Sequence, residues 1–300
     1  MTESVEPAGK YCHACSACGK CCNSAPALSF AELLHHRHRF IGALAVSRHR
    51  RHNAGDMLRI GQRNYCLTAD DAAEFDALAS RIWFRESSDS WIQLCVISLE
   101  YPSRGRCPAL QDDGLCGIHG DRKPTICSAV PLDPAVPDSL QHLVMADRVQ
   151  TADFVGANCI GQMDDNGAPA AAQQLGLPLM INVRKIVDAS AAKALADRRA
   201  ELMQDKQSWG NAVFSAMRPA LRDTYIAPGG FVTLPLVPIL GELARRPDEL
   251  GRRSQEVANA QRSLIAREIA NAISRKNLLD RPMTEQLRRF NSAYAAAYAD

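Results

Sequence analysis

The chain has 300 residues, a formal net charge of +2, 46% hydrophobic residues and 23% charged residues. That length allows one large domain or two ordinary ones with a full core, and the near-zero charge gives no argument for nucleic acid as a partner. No stretch reaches the roughly 18 unbroken apolar residues of a membrane helix, and the opening MTESVEPAGKY lacks the basic-then-apolar pattern of a signal peptide, so the expected compartment is the cytoplasm.

The first feature is CHACSACGKCC, residues 12–22, which holds five of the chain's 11 cysteines. In a reducing compartment, thiols clustered like this bind metal or do redox chemistry more often than they form structural disulfides. Cys12, Cys15, Cys18 and Cys21 keep two residues between neighbours, the spacing at which a tight turn aims two sulfurs at one metal. Gly19 supplies the backbone freedom such a turn needs. Cys21 and Cys22 are adjacent. In an extended chain they point to opposite sides and so suit two metals, two corners of a cluster, or one metal and its supporting hydrogen bonds.

SFAELLHHRHRFIGALAVSRHRRH, residues 29–52, predicts a helix after Ser29, with Phe30, Leu33, Leu34, Ile41 and Leu44 at helical spacing. Between Leu33 and Asp56 lie five arginines, five histidines and no acid. This reads as a solvated basic face, or alternatively as a docking patch for an acidic protein or nucleic acid. His35 and His38 are one turn apart and form a candidate metal pair, although the arginines around them repel a cation. DMLRIGQRNYCLT and SWIQLCVISLEYPS predict strands, with the helix ADDAAEFDALASRIWF between them. Cys66 and Cys95 fall in these apolar runs and are expected to pack as small hydrophobes.

A second cysteine group follows in CPALQDDGLCGIHGDRKPTIC, Cys107 to Cys127. Its DDG is a turn signal that folds Cys107 and Cys116 toward each other, and Pro108 and Pro124 stiffen the loop. LQHLVMADRVQTADF is ambiguous between strand and helix, and Cys159 follows in NCIG. NGAPAAAQQLGLP, residues 166–178, is the candidate domain boundary, and no cysteine occurs after 159. Beyond it, Ser190–Gln204 and Ser254–Lys276 predict helices. The second carries a stripe of Val257, Gln261, Leu264, Ile265, Ile269 and Ile273 that is apolar but for the glutamine. Thr284 is the expected cap of a last helix, and APGGFVTLPLVPILGEL, 227–243, reads as a buried connector. There is no solenoid repeat, G-x-G-x-x-G, P-loop or G-x-S-x-G.

CSACGKCC at 15–22, CPAL…DGLCGIHGDRKPTIC at 107–127 and CIG at 159 together resemble the CxxCxxCC cysteine-cluster family, the YkgJ-like group of zinc- or iron-chelating domains. The flagellin lysine N-methylases are similar in carrying a related cysteine cluster. The resemblance covers about residues 12–162. It implies Cys15, Cys18, Cys21, Cys22, Cys107, Cys116, Cys127 and Cys159 as metal ligands; Cys12, outside the family's motif, and His119, a departure from it, are additional candidates of this chain's own. His119 stands where the family has tyrosine, Ser128 where it has arginine, and Lys123 splits the family's Arg-Pro pair.

The expected fold is α+β and mostly α: an irregular Cys-rich metal-binding domain with a short antiparallel β element and helices (1–165), then a helical C-terminal region (166–300). The expected function is binding of an iron–sulfur cluster or Zn2+, with a protein-modifying (lysine N-methylase-like) or redox activity on a protein partner. The alternative is a non-enzymatic, zinc-stapled module that binds a protein partner through its helical half.

Overall fold

The computed structural model describes residues 9–15, 19–163 and 176–298. The fold is α+β and mostly helical, with short antiparallel sheets. Strand β1 (Lys10–His13) is followed by β2 (Ala27–Leu28), α1 (Phe30–His35), β3 (Ile41–Arg50), the hairpin β4 (Met57–Ile60) and β5 (Arg63–Cys66), α2 (Ala69–Ile82), β6 (Phe84–Arg85) and β7 (Ser90–Leu99). Then come α3 (Thr125–Ala129), α4 (Gln141–Phe154) and β8 (Ile160–Met163). The second half supplies β9 (Leu179–Asn182), β10 (Lys185–Ile186), α5 (Ala189–Asp205), a π turn at Lys206–Gly210, α6 (Asn211–Asp223), β11 (Phe231–Leu234), α7 (Val237–Ala244), α8 (Glu249–Arg275) and α9 (Arg281–Ala297).

Two antiparallel sheets tie the halves of the sequence together. One has the order β10-β9-β1-β8, so the N-terminal strand lies between strands from either side of residues 164–175, and most of the expected boundary at 166–178 lies outside the described residues. The other has the order β11-β3-β7-β2, with β6 also on β7. β3 and β7 pair from Ile41↔Leu99 to Arg50↔Ser90. A single apolar core joins Leu28, Leu44 and Val96 to Trp209, Leu240, Ile265 and Tyr294.

The expected helix over 29–52 is only partly present. Ser29 starts it as anticipated: its Oγ accepts from Glu32 N at 3.2 Å, and its own N donates to Glu32 Oε2 at 2.7 Å. The helix stops at His35, the chain turns at His36–Phe40, and Ile41–Arg50 is a strand. Ile41 to Val46 are buried without a break, as in a strand covered on both faces, and such a run is not separable from a buried helix by periodicity. Gly42 is needed here, because a Cβ would come within 2.5 Å of Leu33 and 2.8 Å of Leu236. The anomalous glutamine of the α8 stripe explains the same corner. Fully buried Gln261 accepts from Gly42 N at 2.7 Å and donates to the carbonyls of Arg37 and Phe40 at 2.8 and 3.0 Å. It thereby satisfies the backbone of the α1–β3 turn.

Other expectations are also corrected. Thr284 does not cap α9. It lies inside the helix that opens at Arg281, with its hydroxyl donating to Asp280 O at 2.9 Å. The 227–243 segment is not a connector but β11, paired with β3 from Phe231↔Ser47 to Leu234↔Leu44, followed by α7. The ambiguous stretch after Leu140 is the helix α4. Cys66 is exposed rather than packed, because β4 and β5 form an isolated two-stranded hairpin whose alternate residues face outward. Cys95 is half-buried on β7, and burial pushes its thiol up to about 11. The basic stretch is largely paired: Arg48 makes a two-pronged contact with Glu86 at 2.8 Å and Arg51 one with Asp76 at 2.9 Å. Among the described residues no helix is long and apolar enough to cross a membrane.

Candidate metal centre

The two cysteine groups meet through their backbones. Gly19 has a φ of +69°, and Cys22 N closes a turn onto Gly19 O at 2.9 Å. A Cβ on Gly19 would lie 2.5 Å from Gly114 O, so only glycine permits this contact between the groups. Cys107 N then donates to Cys22 O at 2.8 Å. The DDG turn behaves as its sequence predicts. Gly114 N donates to Gln111 O at 3.0 Å, and Leu110 pairs with Cys116 in a short antiparallel bridge, which folds Cys116 back beside the Cys107 turn.

Cys127 arrives on α3, whose first amides need partners outside the helix. Thr125 N donates to Glu32 Oε1 at 2.6 Å, and Thr125 Oγ1 donates to Glu201 at 2.7 Å. Arg198, only 2% exposed, lies 3.6 Å from Glu32 and 3.5 Å from Glu201 and balances the two carboxylates. The capping glutamate of α1 and two charges of α5 therefore position the last cysteine of the second group. The third segment joins from α4. Lys20 donates to the carbonyl of Gly156, and Ala14 N donates to Cys159 O at 2.9 Å.

Cys21, Cys22, Cys107, Cys116 and Cys127 share one electrostatic neighbourhood. Cys22 donates its thiol proton toward Cys21, which holds the Cys21 thiol below the ordinary range, and Lys123 and Arg148 add to that. The same hydrogen bond raises Cys22, as do burial and the nearby sulfurs of Cys21, Cys107 and Cys127. Burial raises Cys107, with Cys116 and Glu100 adding to it. Cys127 is pushed up to about 12, first by burial and then by Cys107 and Cys116, against Lys123. Thiolates crowded in a half-buried place oppose one another's ionisation, and a bound cation removes that penalty. The donor set therefore fits a thiophilic metal. It is not drawn into one closed ligand shell, however. Among the described residues, the set of three or more ligating side chains whose donor atoms gather within 4.8 Å is His35, His36 and Asp121, not a cysteine set.

The expected opposition of Cys21 and Cys22 does not hold. They lie in a turn rather than an extended strand, and their sulfurs hydrogen-bond to each other. They remain unequal, because Cys21 is exposed while Cys22 is half-buried against the main core. Cys15 is exposed and Cys159 half-buried. Cys18 lies outside the described residues. Cys12 is buried in β1, opposite Gly161, and burial raises its thiol. His119 is exposed, and its backbone N donates to Cys116 O at 3.1 Å. Lys20, Glu32, Arg198 and Glu201 also hold the site, and the cysteine spacing does not point to them. Glu32 was legible as a capping partner three residues after Ser29. Arg198 and Glu201 carried no signal, because they look like ordinary charges on a helix.

Residues 14–143 match the model of the CxxCxxCC family, whose description reads "Putative zinc- or iron-chelating domain". This is the family resemblance that the cysteine spacing carries, and the match supports zinc or iron binding by this segment. Neither a curated protein nor a solved structure matches the chain.

Proposed function

We propose that Cys15, Cys18, Cys21, Cys22, Cys107, Cys116, Cys127 and Cys159 supply one multi-thiolate metal centre, with Cys12 and His119 at its margin. The observation that carries this is the convergence of thiols from separate segments, with Cys22 hydrogen-bonded through its backbone to Cys107, with Cys107 and Cys127 raising the Cys22 thiol, and with Cys107 and Cys116 raising that of Cys127. A single zinc takes about four ligands, and this set offers more. An iron–sulfur or other multinuclear centre is therefore the better fit. The finer form of this reading is redox or protein-modifying work on a protein partner, supported by the exposure of Cys15 and Cys21 at the solvent edge of the set.

Anaerobic purification followed by a visible spectrum and by iron, zinc and acid-labile sulfide analysis tests it. Iron with sulfide and visible absorption is expected. One zinc per chain with no iron, no sulfide and no visible absorption would overturn the multinuclear assignment. A reversible bleach of the visible band on reduction is expected for the redox form.

A second reading is a zinc staple without catalysis, in a module that binds a partner through its helical half. The irregular course of residues 100–124 favours it, because this stretch rests on the main core with one isolated bridge and no helix or strand of its own. Two zinc ions per chain and loss of folding on chelation would select it.

A further inference from the structure

We propose that His35, His36 and Asp121 form a second metal site, separate from the cysteine centre: a mononuclear divalent-cation site with two imidazole nitrogens and one carboxylate oxygen. The two histidines end α1, and Asp121 comes from the loop between Cys116 and Cys127. One donor atom of each lies within 4.8 Å of the other two. His35 Nε2 and Asp121 Oδ1 are already 3.1 Å apart, close to the separation of two ligands on one ion whose bonds are about 2.0–2.2 Å. The Asp121 side chain is 67% exposed, so its carboxylate has room to rotate onto an ion.

The support around the donors is also that of a metal site. His36 is buried, and its Nε2 lies 3.1 Å from Arg122 O. A carbonyl only accepts, so Nε2 carries the proton and Nδ1 the lone pair in the neutral ring. Nδ1 is then the His36 nitrogen left to ligate, and a hydrogen bond on the other ring nitrogen fixes the tautomer and orientation of a ligating histidine. Arg122 takes a left-handed φ of 45°, a conformation uncommon for a non-glycine residue, in the turn that brings its carbonyl to His36 and its neighbour Asp121 to His35.

All three residues line a cavity of about 530 Å³ that also holds Glu100, Arg104 and Glu268. The arginines on the wall, Arg39, Arg104 and Arg267, are matched in number by Glu100, Asp121 and Glu268, and Arg104 lies 3.1 Å from Glu268 and 3.6 Å from Glu100. The wall therefore does not repel a cation on balance. Three protein donors leave coordination positions open to the cavity, which suits water or a small oxygen ligand. Two imidazoles with one carboxylate select Zn2+, Fe2+ or Co2+ over Ca2+ or Mg2+. This assignment does not depend on what the cysteines bind.

The test uses the full chain with its cysteine centre as isolated. Metal content per chain is measured first. The protein is then dialysed against Co2+, and the content and visible spectrum are read again. One added Co2+ per chain is expected, without thiolate-to-cobalt charge-transfer absorption. His35→Ala and Asp121→Asn should each weaken its binding at least about tenfold, while His38→Ala, on the same cavity wall, should not. Far-UV circular dichroism checks folding, and the exposed Asp121 variant carries the test if the His35 variant fails to fold. No added Co2+, an added Co2+ with thiolate absorption, or one retained at full affinity in Asp121→Asn would overturn the assignment.

Discussion

β3 and β7 pair over ten residues from Ile41↔Leu99 to Arg50↔Ser90, and both contribute to an apolar core shared with α7, α8 and α9. The segment from Cys107 to Ala129 has one isolated bridge and one five-residue helix. It is placed by discrete polar contacts: Cys107 N on Cys22 O, Thr125 on Glu32 and Glu201, and Gly19 against Gly114. The ladder is held by burial, which is non-directional and spread over many side chains. The cysteine segment is held by a few directional groups, each of which matters singly. A region of the second kind suits a site whose geometry a bound metal completes.

The contrast can be broken most forcefully at Arg198. Arg198→Ala leaves the carboxylates of Glu32 and Glu201 without their buried partner, a loss of about 3–5 kcal/mol for an interior charge network. Amide hydrogen exchange should show α3 opening before the β3–β7 ladder. Equal loosening of both regions would abolish the distinction. Next is Gln261→Leu, which keeps the apolar α8 stripe but removes the partners of Gly42 N, Arg37 O and Phe40 O. A loss of about 2–3 kcal/mol in denaturant unfolding is expected, centred on the α1–β3 turn. It would show that even the ladder region depends on a polar group where the backbone turns.

A third test is pH. Burial pushes the Asp205 carboxyl up to about 7, against the hydrogen bonds it accepts from Phe30 N at the start of α1. The folded state then keeps a proton that the unfolded state releases near pH 4. The stability from this group is full below about pH 4, falls as pH rises toward about 7, and is flat above. Asp205→Asn should remove a fall of about 2.5 kcal/mol between pH 5 and pH 8 in the difference between the two proteins' unfolding free energies. An unchanged slope would place the titration elsewhere. The smallest effect is expected at Cys66→Ser. Exposed on the β4–β5 hairpin, it should change stability by less than about 0.5 kcal/mol and leave metal content unchanged. Metal loss there would extend the centre beyond the segments that converge on it.

The local chemistry is written in neighbouring residues. Ser29 with Glu32 and Thr68 with Asp71 start α1 and α2, because capping is an exchange between residues three apart. The DDG turn, the helices α5 and α8 and the family of the cysteine spacing were legible for the same reason: each is written in neighbouring residues. The continuous apolar run Ile41–Val46 was not, because burial on both faces erases the period that separates strand from helix. Long-range packing alone makes Gln261 serve a turn some 220 positions earlier, sets Arg198 and Glu201 to hold the helix of Cys127, and brings Asp121 to His35 and His36. These contacts join residues far apart in the chain. Nothing in the local pattern of a helix distinguishes a charge that faces water from one that meets a buried partner brought to it by the fold.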